Sequence, residues 1–162
     1  MTNVWMPAVT LSLLIGSTSI CSAATTSIHT CVNPAASREN VVAAATEFFE
    51  ALRNDDLERF QKVTGPDFYA FDAGKRFNGT ELILFIKEAH AKGTRFSWSI
   101  ADPAVHVSCS TAWITYVNKG GVETNEGKQD LTWLESMVLE YRQSHWHIEF
   151  LQSMRMQTQA NR

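Results

Sequence analysis

Two carboxylates in apolar surroundings are the residues with the strongest claim to chemistry. Glu135 lies in an apolar stripe of a predicted strand, between Trp133 and Met137. Burying a bare carboxylate is costly, so this side chain must be paired, hydrogen-bonded or turned towards a polar cavity. We expect it either to anchor a ligand or exchange protons with it, or to form a structural salt bridge with Arg155 or Arg76.

The second carboxylate, Asp72, ends an apolar segment that contains Phe68, Tyr69 and Phe71. An apolar pocket raises the pKa of a carboxyl group and makes it a competent proton acceptor. The alternative is a side chain that only caps the turn at Ala73-Gly74, which is a common role for aspartate. Both interpretations stay open at this stage.

Three tryptophans, Trp98, Trp113 and Trp133, fall on three consecutive predicted strands. Together they could form an aromatic wall for a flat apolar ligand. Large aromatic residues at alternating positions are more often part of a core. We therefore expect a mixture, in which Trp113 is core and Trp98 or Trp133 lines a pocket.

A metal or cofactor site is not predicted. His145, His147 and Glu149 alternate onto one strand face, and divalent metals bind such residues. The sequence offers no further ligand, however, and a solvent-facing edge strand gives the same pattern. There is also no Gly-rich phosphate loop, dinucleotide fingerprint or Cys-x-x-Cys pair.

Composition narrows the class of protein. The chain has 162 residues, which suits one domain with a core of ordinary size. Its 44% hydrophobic and 19% charged residues are typical of a globular protein. The formal charge of -3 provides no basic stripe, so we expect no nucleic-acid partner.

The N-terminus resembles a secretory signal peptide. Ala8 to Ile15 form a mostly apolar core, and Cys21 to Ala24 supply the small residues that signal peptidase needs. The apolar run is too short to cross a bilayer, so we expect a secreted or periplasmic protein without membrane contact after cleavage. The predicted parts are a signal peptide at 1–24, a flexible arm at 25–36, one domain at 37–157 and a tail at 158–162.

Cleavage of the signal peptide would also determine which cysteines remain and whether they can form a disulfide. Loss of Cys21 would leave Cys31 and Cys109, and two cysteines in an oxidising compartment favour a disulfide. The alternative is two separate thiols, since the sequence does not give the distance between them.

These residues must be positioned by helices followed by strands. The helices are predicted from the N-cap Ser37 to about 53, over 56–63 before Gly65-Pro66, and over 81–92. The strands are predicted at 67–72, 95–101, 104–117, 129–141 and 146–156, with breaks at Asp102-Pro103 and in a Gly-rich loop at 118–128. Helices first and antiparallel strands afterwards indicate an α+β fold with the helices on one face.

The strand at 129–141 has a special place in that sheet. Apolar residues occupy both of its faces, with Leu134 and Val138 opposite the stripe of Glu135. A strand covered on both sides lies in the middle of a sheet.

Local segments in this order resemble a known family. They are Phe71 to Gly79, Ala112 to Asn118, Trp133 to Ser136 and Trp146 to Arg155. Together they are similar to the nuclear transport factor 2-like superfamily, of the SnoaL-like kind that includes ketosteroid isomerase-like proteins. The resemblance implies a curved antiparallel sheet wrapped around three N-terminal helices, as a cone with a cavity at its open end. It also implies a homodimer formed through the sheet.

The resemblance extends to site residues. Asp72 falls near the general base of the ketosteroid isomerase-like proteins. Gln152 stands where similar chains often carry a histidine, and a glutamine can hydrogen-bond a ligand but cannot exchange a proton near neutral pH.

The sequence is therefore compatible with two functions. The first is binding of a small apolar or amphipathic molecule, with ligand contacts expected from Tyr69, Trp98, Trp113, Trp133 and Gln152. The alternative is a cofactor-free isomerase, dehydratase or cyclase. It would use Asp72 and Glu135 for proton transfer and Tyr116 as a hydrogen-bond donor to a developing enolate or alkoxide.

Overall fold

The computed structural model describes residues 37–157, and three helices open this part of the chain. They are α1 (Arg38–Arg53), α2 (Leu57–Val63) and α3 (Gly79–Ala91). Each begins where a polar side chain accepts a hydrogen bond from the first turn: Ser37 caps α1, Asp56 caps α2 and Asn78 caps α3. The predicted helices are confirmed. Their starts could be predicted because each capping bond joins residues close in sequence.

Within residues 37–157, seven strands form one sheet beside the helices. They are β1 (Thr64–Asp72), β2 (Lys75–Asn78), β3 (Arg95–Ser97), β4 (Ile100–Ser108), β5 (Thr111–Thr124), β6 (Gly127–Arg142) and β7 (His145–Arg155). Their order is β2-β1-β7-β6-β5-β3, and β4 also pairs with β5. All pairs are antiparallel except β1 with β7. The predicted α+β class is confirmed.

The predicted strand break at Asp102-Pro103 is wrong. Asp102-Pro103 lies inside β4 as an irregularity in its pairing with β5, and Asp102 has a φ of 52°. Gly65-Pro66 follows α2 as predicted, but it already belongs to β1, where the pairing with β7 is irregular. A proline can sit within a strand at such irregularities, where its missing N–H is not needed by the ladder.

The predicted Gly-rich loop at 118–128 is instead the tip of a long hairpin. β5 continues to Thr124 and pairs with β6 as far as Gly127. A Cβ added at Gly120 would lie 1.9 Å from the carbonyl oxygen of Ser97. Glycine is required there because β3 approaches the backbone of β5 closely, and not because the chain forms a loop.

The core lies between the helices and one face of the sheet. Phe48 of α1 contacts Phe60 and Phe68, with ring centroids 5.3 and 5.6 Å apart. On the sheet, Leu139 and Ile148 are fully buried against this layer. β6 is central, as predicted, but its other face is not covered by described residues.

The uncovered outer face of the sheet is apolar. Its exposed large side chains include Phe71, Trp113, Leu134, Val138 and Met154. Only one face is covered because all three helices pack on the same side. The prediction that β6 is buried on both faces is therefore corrected.

The predicted signal peptide at 1–24, arm at 25–36 and tail at 158–162 lie outside the described residues, as does Cys31. Cys109 is disulfide-bonded. Within 37–157, no helix combines the length and the apolar character needed to cross a membrane.

Candidate functional site

A cavity of about 630 Å³ lies between α1, α3 and the concave side of the sheet. Most of its wall is apolar, and it includes Phe49, Leu52, Ile86, Phe96, Trp98 and Trp133. The polar side chains around it belong to Asp72, Glu135, Gln152, Ser153 and Arg155. This size and this mixture of many apolar groups with few polar ones are typical of small-molecule sites.

Glu135 is buried in this cavity, with 7% of its surface exposed. Asn118 donates a hydrogen bond from Nδ2 to Oε2 of Glu135 at 2.9 Å, and the Ser153 hydroxyl donates to Oε1 at 2.8 Å. Burial raises the pKa of Glu135 more than these donors lower it. Among the described residues no salt bridge reaches Glu135, so the predicted structural pair with Arg155 or Arg76 is wrong.

The orientation of Asn118 fixes the direction of one of these bonds. The backbone N–H of Ser99 donates to Oδ1 of Asn118 at 2.9 Å. The NH₂ group of Asn118 must therefore face Glu135, and an NH₂ group can only donate. Asn118 is fully buried, so its amide is held in place by these partners. Oε2 of Glu135 is consequently an acceptor.

Asp72 is half-buried and faces the same cavity. Its carboxylate accepts from the backbone N–H of Ala73 and from the Ser153 hydroxyl, while burial raises its pKa above the ordinary value. Asp72 thus bonds its own turn and also borders the cavity. Ser153 has one hydroxyl hydrogen and lies between two carboxylates, so it can donate fully to only one of them at a time.

Tyr116 lies beside Glu135 and does not line this cavity. The two residues are opposite each other on β5 and β6, and Tyr116 is 4% exposed. Burial, together with the negative charge of Glu135, raises the pKa of Tyr116 well above its ordinary value. Its hydroxyl makes no hydrogen bond of standard geometry in the described part of the chain. Tyr116 therefore adjoins the carboxylate without lining this cavity, and it borders a more open cleft of about 550 Å³ together with Glu135 and Gln152.

The three tryptophans have different positions. Trp98 and Trp133 line the cavity, and Trp98 stacks on Phe96 with centroids 5.5 Å apart. Trp113 is 45% exposed and stacks on His106 on the outer face of the sheet. The expectation of Trp113 in the core is corrected, because the alternation of β5 turns it away from the helices.

Tyr69 and Gln152 also lie mainly on the outer face. The Tyr69 ring packs against Phe71 and Phe150, and the Arg76 guanidinium lies 4.4 Å from its centroid. Tyr69 therefore does not contribute to the cavity wall, contrary to expectation.

Gln152 borders the cavity, but its side chain is exposed and its amide donates only to the Ser153 carbonyl. The reason is a bulge: Ile148 and Phe150 oppose neighbouring residues of β6, and Glu149 between them opposes no residue of that strand. This extra residue reverses the alternation of β7, so Ser153 faces inwards and Gln152 outwards.

The other polar cluster lies at the β6–β7 hairpin. Arg142 pairs there with Glu140 and Glu149, and both ring nitrogens of His147 are buried without a hydrogen bond. Clefts of about 840 and 950 Å³ border this hairpin, but they do not contain the carboxylate pair. Within 37–157 no group of three or more His, Cys, Asp or Glu side chains is arranged to hold a metal ion.

Comparison with known proteins agrees with this architecture. The SnoaL-like domain family profile matches residues 41–154. A nuclear transport factor 2-like protein from Streptomyces avermitilis, named as a proposed dehydratase, is similar over 78% of this chain and 100% of its own. Its identity is 16% and its TM-score 0.66.

Two kinase assembly domains are also similar. The S. rosetta CaMKII hub matches over 73% of this chain and 95% of its own, with 17% identity and a TM-score of 0.62. The association domain of C. elegans CaMKII matches over 71% and 92%, with 19% identity and a TM-score of 0.59. No curated protein sequence matches the chain. At these identities the likenesses establish the fold and not the activity.

Proposed function

Because the chain belongs to the SnoaL-like domain family, we propose that it binds a small, largely apolar molecule in the cavity between α1, α3 and the sheet. The observation that carries this proposal is the composition of that cavity. Apolar and aromatic side chains form most of the wall of this cavity of about 630 Å³. Its polar side chains include two carboxyl groups that share hydrogen bonding with one serine hydroxyl. An apolar wall supplies affinity, and a few fixed polar groups supply orientation.

A matched pair of tryptophan variants tests the proposal. Trp133→Ala removes an indole from the cavity, whereas Trp113→Ala removes one from the outer face. Calorimetric titration with a neutral probe, 1-decanol, should show at least about a tenfold loss of affinity for the first variant and little change for the second. Equal effects of the two variants, or no binding by the parent protein, would reject the proposal.

The natural ligand can be sought directly. Native mass spectrometry of the purified protein should show a bound small molecule, which Trp133→Ala should retain less well than Trp113→Ala. The identity of that molecule would name the substrate class without any assumption about the reaction.

Proton-transfer catalysis is a second candidate, as a cofactor-free isomerase, dehydratase or cyclase. It is favoured by the carboxylate pair, since Asp72 and Glu135 border one cavity and share Ser153. Asp72 is the more exposed of the two and would exchange the proton, while Glu135 sets the charge beside it. A carboxyl group with a raised pKa suits either proton acceptance or proton donation near neutral pH.

Deuterium exchange tests the catalytic candidate. In D₂O the parent protein should exchange carbon-bound hydrogen of the co-purified molecule, and Asp72→Asn should not, while its circular dichroism stays unchanged. Equal exchange by both proteins would exclude Asp72 as the base.

A homodimer formed through the outer face of the sheet is the proposed assembly. Leu134, Val138 and Trp113 are exposed on that face, and large exposed apolar patches mark interaction sites. Similar structures named as a hub and an association domain favour an assembly as well. Light scattering should give a dimer for the parent and a monomer for Leu134→Lys, and a monomeric parent would contradict this.

Export is proposed from the leader at 1–24 alone. Expression of the full sequence in a bacterium should give a periplasmic product whose N-terminal residue lies close to 25. An uncleaved cytoplasmic product would contradict the export proposal.

A further inference from the structure

The polar part of the cavity presents acceptors and few donors. The Ser153 hydroxyl donates its hydrogen to Glu135, and the Gln152 amide donates to the Ser153 carbonyl. The N–H of Ala73 is bonded to Asp72. Asn118 lies behind Glu135 and is not part of the cavity wall. Apart from the indole N–H groups of Trp98 and Trp133, the side-chain polar groups left for a ligand are mainly carboxylate oxygens.

These carboxylates also lack a compensating cation. No salt bridge within the described residues involves Asp72 or Glu135. Arg155 is the lone cation around the described cavity, and it is exposed at the C-terminal end of β7. Oε2 of Glu135 accepts from Asn118, and the Ser153 hydroxyl lies 2.8 Å from Oε1. Two carboxyl groups are therefore held in an apolar cavity with hydrogen bonds but no counter-ion.

The apolar wall of this cavity contains aromatic groups that can bind a cation. Trp98 and Trp133 line the same cavity as the two carboxylates. Indole is the aromatic group that attracts cations most strongly, and the attraction increases when the cation leaves water. Carboxylates and indoles around one space form an environment for a positively charged group on an apolar body.

Resting on the proposed function, we infer that the ligand is an amphipathic amine, whose protonated amino group enters the cavity and donates hydrogen bonds to Glu135 and Asp72. An ammonium group has three donors and no acceptor, which matches a wall that offers acceptors. A carboxylate in the same position would face Glu135 and Asp72 with like charge. A hydroxyl would supply one donor and no compensating charge.

Three probes with the same ten-carbon chain test this inference. Decylamine, 1-decanol and decanoic acid are titrated separately into the full chain at neutral pH, below the concentrations at which they aggregate. Decylamine should bind at least about tenfold more tightly than 1-decanol, since a charged donor adds one charge-assisted bond. Decanoic acid should bind most weakly.

Isosteric variants identify the groups responsible. Glu135→Gln and Asp72→Asn should each reduce the affinity for decylamine by about tenfold or more and change that for 1-decanol by less than about threefold. Glu123→Gln is the matched control, because it removes the same charge from an exposed position on β5 and should leave both affinities unchanged. Having two variants protects the test if one of them fails to fold.

The outcomes separate the inference from the proposed function. If 1-decanol or decanoic acid binds as tightly as decylamine, the amine inference is overturned and the binding function stands. If the Glu123→Gln control loses decylamine as strongly as Glu135→Gln, the attraction is unspecific and the inference fails. If none of the three probes binds, both the function and the inference fail.

Discussion

Ser153→Ala is the substitution that most directly probes the carboxylate pair. Ser153 is 8% exposed, and its single hydroxyl hydrogen is shared between Glu135, whose Oε1 lies 2.8 Å away, and Asp72. The change removes one hydroxyl and leaves Glu135 with Asn118 as its one donor of standard geometry. Loss of this donor raises the pKa of both carboxyl groups further, because hydrogen bonds to the charged form are what oppose burial here.

The size of the effect depends on pH. A hydrogen bond to a charged group contributes about 1.5–3 kcal/mol, and one to a neutral group about 0.5–1.5 kcal/mol. Ser153→Ala should therefore lower the free energy of unfolding by about 1.5–3 kcal/mol at neutral pH and by less in acid, where the carboxyl groups are protonated. Ser136→Ala, on the opposite face of the neighbouring strand, should stay within about 0.5 kcal/mol.

The sign follows from proton binding. The pKa values of Glu135 and Asp72 are raised above the ordinary 4.5 and 3.8 in the folded protein. Between the ordinary and the raised values the folded state binds more protons than the unfolded state. Stability is therefore greatest below the ordinary values and falls as pH rises through the raised ones. Removing a donor makes that fall larger.

Urea unfolding of the parent, Ser153→Ala and Ser136→Ala at acid and neutral pH measures these differences. A stability loss for Ser153→Ala that is the same at both pH values would refute the reasoning. So would a loss no larger than that of Ser136→Ala, because the hydroxyl would then have no special relation to a charge.

Three further predictions concern the scaffold and the pair. Phe48→Ala should lower the free energy of unfolding by about 3–5 kcal/mol, measured by urea, since it empties a fully buried ring position; a loss below about 1 kcal/mol would contradict the packing described. Gly120→Ala should destabilise by about 1–3 kcal/mol in the same assay, because its Cβ would meet the Ser97 carbonyl; an unchanged midpoint would show that β3 is placed wrongly. Glu135→Gln should lower the pKa of Asp72, because the like charge disappears and Ser153 can donate to Asp72 instead. The ¹³C resonance of the Asp72 carboxyl group measures this pKa, and an unchanged titration would show that the two carboxyl groups do not interact.

Local sequence predicted the features that depend on local physics. Ser37 and Asn78 cap helices because their partners lie three residues away. Glu135 was expected inside because its neighbours two residues away are apolar, and the structure places it there. The family resemblance placed Asp72 beside the same cavity.

The remaining features depend on pairing between distant residues. Asn118 and Ser153 were missed, although each lies on the buried stripe of its strand, because their importance comes from register with Glu135 and its neighbour Trp133. Gln152 was expected to point into the cavity, but the bulge at Glu149 turns its side chain towards the outer face. A bulge is decided by the partner strand, so the alternation of β7 alone could not reveal it.

The central claim is that the inner cavity, and not the outer face, receives a small apolar molecule. The most direct measurement is a ¹H–¹⁵N spectrum of the indole N–H groups during titration with 1-decanol. The resonances of Trp98 and Trp133 should shift in a saturable way, while that of Trp113 should not. Saturable shifts confined to Trp113, or no shifts at all, would contradict the claim.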